Sequence, residues 1–115
     1  MQKYTVSENY TIKEVMMSFE ENNERAAVVL GVQDTVVGII SQGDIIRALV
    51  LGVGILTPIR QIIKPSFFFL SQINYEKAYK IFKEKKISLL PVIDSDSRLV
   101  SIITINDIFD YLERR

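Results

Sequence analysis

Apolar residues in the first third of the chain recur at i, i+3, i+4 and i+7, the spacing of one face of an amphipathic helix. They are Ile12, Val15, Met16 and Phe19. A short extended segment, Tyr4–Val6, precedes this pattern, and Thr11 has a side chain suited to cap the helix. The pattern therefore predicts a strand followed by a capped helix.

Two apolar runs of strand length follow the predicted helix. Ala26–Val32 and Val36–Ile40 flank the polar turn Gln33-Asp34-Thr35, which is typical of a hairpin. A second helix is predicted from about Gln42 to Leu51, because Gly52 then supplies a stop.

The same order of elements recurs 63 residues later, and positions 4–49 align with 67–112 without a gap. Matched pairs include Phe19 and Phe82, Val37 and Val100, and Asp44 and Asp107. The second copy predicts a strand Phe67–Leu70, a helix through Tyr75–Phe82, hairpin strands Ser88–Ile93 and Leu99–Ile103, and a closing helix to about Leu112. The sequence thus predicts a β-α-β-β-α unit, twice.

The segment between the copies opens with Thr57-Pro58-Ile59, which predicts one or two helical turns through Ile63 before Pro65. The predicted boundaries are 3–52 for the first repeat, 53–66 for a structured linker and 67–113 for the second repeat. The hairpin strands are apolar on nearly every residue and need cover on both faces. We therefore expect one compact α/β (α+β) module in which the repeats pack with pseudo-two-fold symmetry.

Composition narrows the possible chemistry. The chain has 115 residues, with 14 basic and 14 acidic side chains, and it contains neither cysteine nor histidine. Zero net charge disfavours nucleic acid or an anionic membrane as partner, and no apolar run approaches the ~20 residues that span a bilayer. The missing residue types exclude thiolate and imidazole catalysis and the commonest metal ligands. We expect a cytoplasmic protein that is not an enzyme, with no catalytic or metal-binding residues.

The strongest local signal is the junction between the last strand and the last helix of each repeat, Gly38–Ile45 and Ser101–Ile108. Each junction places Ser or Thr three residues before Asp, as in a capping box, although that motif more often uses Glu or Gln because the longer side chain reaches back. A helix N-terminus also offers free amides to an anion, and an aspartate there can accept hydrogen bonds from a vicinal diol. Both interpretations stay open from the sequence.

The tandem units, each ending in this junction, resemble a pair of cystathionine-β-synthase (CBS) domains, together called a Bateman module. The resemblance covers about residues 3–113. It implies a regulatory pair that binds an adenosine-containing metabolite such as AMP, ADP, ATP or S-adenosylmethionine in clefts between the repeats.

The resemblance also implies roles for particular residues. Asp44 and Asp107 would bind ribose hydroxyls, and Ser41 and Thr104 would lie near phosphate. The base pocket would be lined by Gly38, Ala27, Leu90 and Pro91. Arg25 would serve phosphate in one cleft, whereas Ser88 and Leu89 stand at the matching positions of the second copy, so we expect unequal sites.

Two rival functions stay open: an assembly module with no ligand, and an enzyme that uses Asp and Lys alone. We further expect a homodimer, and possible association with a partner enzyme or a fused one. The apolar surface for the dimer would come from the closing helices through Ile46, Leu49, Val50, Phe109 and Leu112. Three aromatic features are expected to pack in the protein: the run Phe67–Phe69, Tyr75 and Tyr79.

Overall fold

The computed structural model describes residues 2–114, which form two compact units divided between Phe67 and Phe68. The first unit contains β1 (Thr5–Ser7), α1 (Ile12–Asn22), β2 (Ala26–Leu30), β3 (Val36–Ser41) and α2 (Gln42–Val50). The second unit contains α3 (Tyr75–Lys85), β4 (Leu89–Ile93), β5 (Leu99–Thr104) and α4 (Ile105–Glu113). The predicted mixed α/β class and the repeated order of helices and hairpins are confirmed.

The first unit is a three-stranded sheet covered by its helices. β2 lies in the middle, parallel to β1 and antiparallel to β3. Helix α1 begins at a full capping box, in which Thr11 and Glu14 bond each other's backbone amides, and it ends at Asn23 with a left-handed φ of 56°. Its buried side chains are Ile12, Val15 and Phe19, as the spacing predicts. They join Val6, Ala27, Val29, Ile40, Ile45, Ala48 and Ile59 in one core.

The second unit has a two-stranded sheet, β4 and β5, and its predicted first strand at Phe67–Leu70 is wrong. Only Leu70 forms a bridge there: its amide donates to Pro91 and its carbonyl accepts from Ile93. One more parallel bridge, at Phe68, would need an N–H donor at residue 91. Because Pro91 has no N–H, the ladder cannot extend in that direction.

This bridge also corrects the alignment of the two copies. Val6 pairs with Val29 in the first unit, and Leu70 pairs with Val92 in the second. Leu70 is therefore the counterpart of Val6, one position later than the ungapped repeat predicts. Both side chains are buried. The second copy thus has one residue fewer than the first between this position and the helix that follows it.

The segment predicted as a linker belongs to the first unit. A single 3₁₀ turn, Ile59–Gln61, replaces the predicted helical turns, and Pro58 precedes it with an extended ψ of 138°. The amide of Ile59 donates to the Tyr10 carbonyl, and the amide of Ile12 donates to Thr57. These bonds tie the segment to the start of α1, and Ile59 is fully buried in the core.

Several side chains expected to pack are instead exposed. Phe68 and Phe69 are about half exposed, and Tyr75 and Tyr79 are also on the surface. Met16, on the predicted apolar face of α1, is likewise exposed. The expectation that these residues are core is therefore wrong. Among residues 2–114, no helix combines the length and apolar character that crossing a bilayer requires.

Candidate functional site

The junction of the first unit is a complete capping box. Ser41, in extended conformation, ends β3 and caps α2: its hydroxyl accepts a hydrogen bond from the Asp44 amide at 3.2 Å. Asp44 Oδ2 reaches back and accepts from the Ser41 amide at 2.8 Å and from its hydroxyl at 2.9 Å. These bonds satisfy two amides that the helix cannot pair internally.

The junction of the second unit repeats this geometry. Thr104 is buried and caps α4, accepting from the Asp107 amide at 3.3 Å. Asp107 Oδ2 accepts from the Thr104 amide at 2.8 Å and from its hydroxyl at 3.1 Å. From the sequence, Asp was expected to fit a capping box less well than Glu or Gln, and that expectation is wrong. An aspartate at this position is long enough to close the box in both repeats.

Capping occupies only one oxygen of each aspartate, and the two repeats differ in what the other oxygen does. Asp44 Oδ1 accepts a hydrogen bond from the Arg47 Nη2 at 2.7 Å. The residue at the same repeat position in the second unit is Asp110, which carries the opposite charge. Within residues 2–114, Asp107 Oδ1 has no hydrogen-bond partner from the protein, and the Asp107 side chain is half-buried. Asp107 therefore keeps an oxygen available to a ligand.

Electrostatics at the first junction follow from these contacts. Partial burial alone raises the pKa of the Asp44 carboxyl, but the two bonds from Ser41 and the Arg47 guanidinium outweigh burial, so the pKa lies below its ordinary value. Gly43 leaves room for the arginine: a Cβ there would lie 3.3 Å from the Arg47 Nη1. Asp44 is thus held ionised by its neighbours.

Arg25 directly precedes β2 in the first unit, and the first residue of that strand pairs with Ser41. Arg25 lines a cavity of about 360 Å³ between the end of α1 and the start of α2, and the Arg25 carbonyl accepts from the Gln42 amide. The other lining residues are Met16, Phe19, Glu20, Asn23, Glu24, Gln42, Ile45, Ile46 and Leu49. The size suits a small ligand, but two carboxylates share the cavity with the one guanidinium, which disfavours phosphate there.

The residues expected to line a base pocket are buried. Ala27 and Leu90 are enclosed in the cores of their units, and Pro91 lies on the same strand as Leu90. Gly38 is buried against the end of the segment that was predicted as a linker. A Cβ at Gly38 would lie 3.4 Å from the Ile63 Cδ1 and from the Lys64 carbonyl oxygen. Their contact with a ligand stays a prediction.

Arg47 is not among the site residues predicted from the sequence. Its spacing from Asp44, three residues along a helix, is a standard signal for a side-chain ion pair. The alignment of the repeats also marks this position, because Asp110 stands in the second copy where the first has Arg47.

Two α/β repeats, each closed by a capped strand-to-helix junction with an aspartate at its third helical position, define a tandem-repeat α/β protein. A family model described as the CBS domain matches residues 1–51 and 59–114. The chain belongs to the CBS domain family, in two tandem copies.

Solved structures share the fold. The CBS domains of a transcriptional regulator from Streptococcus pneumoniae match with a TM-score of 0.80 and 19% identity, over 95% of this chain and 89% of that one. A CBS domain protein from Pyrobaculum aerophilum, complexed with AMP, matches with a TM-score of 0.76 and 22% identity, over 96% and 91%. The protein CBSX2, also in complex with AMP, matches with a TM-score of 0.80 and 20% identity, over 96% and 87%.

Two curated relatives are much longer than this chain. A UPF0053 protein from Synechocystis is 30% identical over 93 residues, which cover 81% of this chain and 27% of that protein. An uncharacterised protein from Helicobacter pylori is 22% identical over 107 residues, which cover 91% and 32%. The chain spans about a third of their length or less.

Proposed function

We propose that the protein is a regulatory module that binds an adenosine-containing metabolite, of the class of AMP, ADP, ATP or S-adenosylmethionine. The observation that carries the proposal is the second junction, where Asp107 is fixed by Thr104 yet keeps Oδ1 available beside the N-terminus of α4. A carboxylate in this position accepts hydrogen bonds from a vicinal diol. Two solved structures of the same fold contain AMP, which supports the ligand class.

The proposal gives the other junction residues supporting roles. Asp44 offers the equivalent oxygen in the first unit, but a ligand competes with Arg47 for it. Ser41 and Thr104 would lie near the phosphate, whereas Arg25 shares its cavity with Glu20 and Glu24 and has no role in this proposal. The base would lie against Gly38 and Ala27 in the first unit and against Leu90 and Pro91 in the second. The two sites are therefore unequal.

The protein acts, in this proposal, by transmitting ligand occupancy to an enzyme fused to it or bound by it in the cytoplasm, and it catalyses nothing itself. It also forms a homodimer. Ile46, Val50 and Phe109 expose apolar surface on α2 and α4, with Leu49 and Leu112 beside them. Exposed apolar surface of this kind is typical of association sites.

Calorimetric titration with AMP, ADP, ATP and S-adenosylmethionine tests the ligand class. Asp107→Asn keeps an oxygen that can accept the Thr104 amide but removes the charge, so we expect at least about tenfold weaker binding, since a bond to a charged group contributes about 1.5–3 kcal/mol. Glu113→Gln is the matched control, since it removes the same charge from an exposed position at the other end of the same helix. The control should bind like the wild type.

Adenosine and 2′-deoxyadenosine isolate the diol from the phosphate. The wild type should prefer adenosine, and Asp107→Asn should lose that preference. No binding of any adenosine compound at millimolar concentration would favour the rival function, an assembly module without a ligand. Unchanged affinity in Asp107→Asn would show that Asp107 only caps α4. Nucleotide hydrolysis lost in Asp107→Ala would instead favour an enzyme.

A further inference from the structure

The loop that follows α2 in the first unit exposes large apolar side chains. Leu51, Ile55 and Leu56 are 84%, 47% and 71% exposed, and Val50, the last residue of α2, is 80% exposed. Isolated exposed apolar residues are ordinary on a protein surface, but several together mark a contact site. These four residues form what we call the apolar tip.

The exposure of the apolar tip is a property of the fold, because the backbone on both sides of the loop is fixed. The Val53 amide donates to the Ala48 carbonyl at 3.0 Å, and the Val53 side chain packs against the core of the unit. On the other side, the Ile55 carbonyl accepts from the Lys13 amide at 2.9 Å. The core therefore presents the tip to its surroundings.

Open space surrounds the middle of the loop. Among residues 2–114, no atom beyond the chain neighbours would lie within 4 Å of a Cβ on Gly52, and a Cβ on Gly54 would meet only the Thr57 hydroxyl at 3.9 Å. A protein partner would need a matching hollow for side chains that protrude in this way. The boundary between the headgroups and acyl chains of a lipid bilayer needs no such match, because it deforms around an apolar side chain.

Charge is unevenly distributed along a chain that is neutral overall. Residues 45–75 contain neither aspartate nor glutamate, but they contain three cations, Arg47, Arg60 and Lys64. Lys13 and Ile55 also line one open groove, in which the carboxylate of Glu20 lies about two helical turns further along α1. The zero net charge that disfavours an anionic membrane for the whole chain thus does not describe this segment. Cations beside an apolar loop favour a surface of anionic lipid.

We propose that the apolar tip docks the first unit on the surface of an anionic lipid bilayer, with Leu51 and Leu56 entering the boundary between headgroups and acyl chains. The tip lies at the opposite end of α2 from the Ser41 junction, about 13 Å away along a nine-residue helix. Docking therefore leaves the junction accessible, and it does not depend on the proposed function.

Co-sedimentation of the full 115-residue chain with vesicles of phosphatidylcholine and about 30% phosphatidylserine tests the docking. Leu51→Ser should weaken binding at least about tenfold, because an apolar side chain that enters the bilayer is lost, and Leu51→Ser/Leu56→Ser should weaken it further. Val32→Ser is the matched control, since Val32 is 77% exposed in the same unit but lies in the hairpin turn with Asp34. The control should bind like the wild type, and all variants should keep the wild-type urea midpoint.

The lipid charge is tested separately. Binding of the wild type to anionic vesicles should fall between about 0.05 and 0.5 M NaCl, because salt screens the attraction between exposed charges. Lys13→Gln should weaken binding to anionic vesicles by about two- to fivefold and leave binding to pure phosphatidylcholine unchanged.

No sedimentation with either kind of vesicle at about 1 mM lipid, or leucine variants that bind like the wild type, would overturn the proposal. A dimer that dissociates in Leu51→Ser/Leu56→Ser, with no vesicle binding by the wild type, would show instead that a second copy covers the tip. AMP titration of the leucine variants should match the wild type. Absent vesicle binding with AMP binding intact would remove this inference and leave the proposed function standing, and the reverse result would support docking alone.

Discussion

The guanidinium of Arg47 lies 2.7 Å from the Oδ1 of Asp44, and the corresponding pair in the second repeat, Asp107 and Asp110, consists of two acids. Both units have the same capping box, but a cation binds the second oxygen of the aspartate in the first unit only. In the proposed function this difference decides which aspartate is available.

Arg47→Ala should strengthen ligand binding at the first junction. The ion pair is partly exposed, and such pairs contribute about 0.2–1 kcal/mol, so freeing Asp44 Oδ1 should raise affinity at the weaker site by about 1.4- to fivefold. Calorimetric titration with adenosine measures the effect, and Asp44→Asn/Arg47→Ala is the control that should cancel it. Weaker binding in Arg47→Ala would mean that the arginine itself contacts the ligand.

Thr104→Ala should destabilise the second unit without abolishing ligand binding. The Thr104 hydroxyl caps α4 and also donates to Asp107, and losing such a cap costs about 0.5–2 kcal/mol. Urea unfolding measures this loss, and Thr104→Ser, which keeps the hydroxyl, is the control. A Thr104→Ala chain as stable as the wild type would contradict the observed capping box.

Asp44 should make stability depend on pH in acid. The folded pKa of Asp44 is lowered, so the unfolded chain binds the proton more readily, and the stabilisation is present above the ordinary aspartate pKa of about 3.9 and lost as pH falls through the folded pKa. The difference in unfolding free energy between wild type and Asp44→Asn should be steady near neutral pH and shrink below about pH 4. A difference that grows on acidification would mean that the carboxyl pKa is raised.

Ile59→Ala should unfold the first unit more easily, by about 2–5 kcal/mol, because it leaves a cavity where a side chain is fully buried. Ile55→Ala is the matched control from the same segment, since Ile55 is 47% exposed and should cost much less. Equal effects of the two substitutions on the urea midpoint would show that the segment does not belong to the core.

The spacing of apolar residues predicted the helices and strands of this fold well where it depends on one segment alone. The face of α1 that contains Ile12, Val15 and Phe19 is buried as predicted, and both hairpins occur within one or two residues of their predicted bounds. The strand at Phe67–Leu70 failed because a partner's missing N–H, at Pro91, is not visible in the pattern of the strand itself. Strand pairing depends on the hydrogen-bonding groups of two segments, whereas the spacing of apolar residues gives information about one segment only.

The junctions were found from the sequence, but their inequality was attributed to Arg25 alone. Repeat comparison identifies positions that match, such as Asp44 and Asp107, and gives less attention to those that differ. The contact of Arg47 with Asp44 and the opposite charges of α1 and α3 are both differences between copies. These differences distinguish this chain from a symmetrical duplicate.

The capping bonds of Asp107 also bear on the entropy of binding. Oδ2 is already held by the amide and hydroxyl of Thr104, so the side chain occupies one rotamer before any ligand arrives. Immobilising a free side chain on binding costs about 0.5–1.5 kcal/mol. A ligand hydroxyl that donates to Oδ1 meets a side chain that is already ordered, so most of this cost does not arise. The short aspartate, which also has fewer rotamers than a glutamate, thereby gives the second repeat a preorganised acceptor.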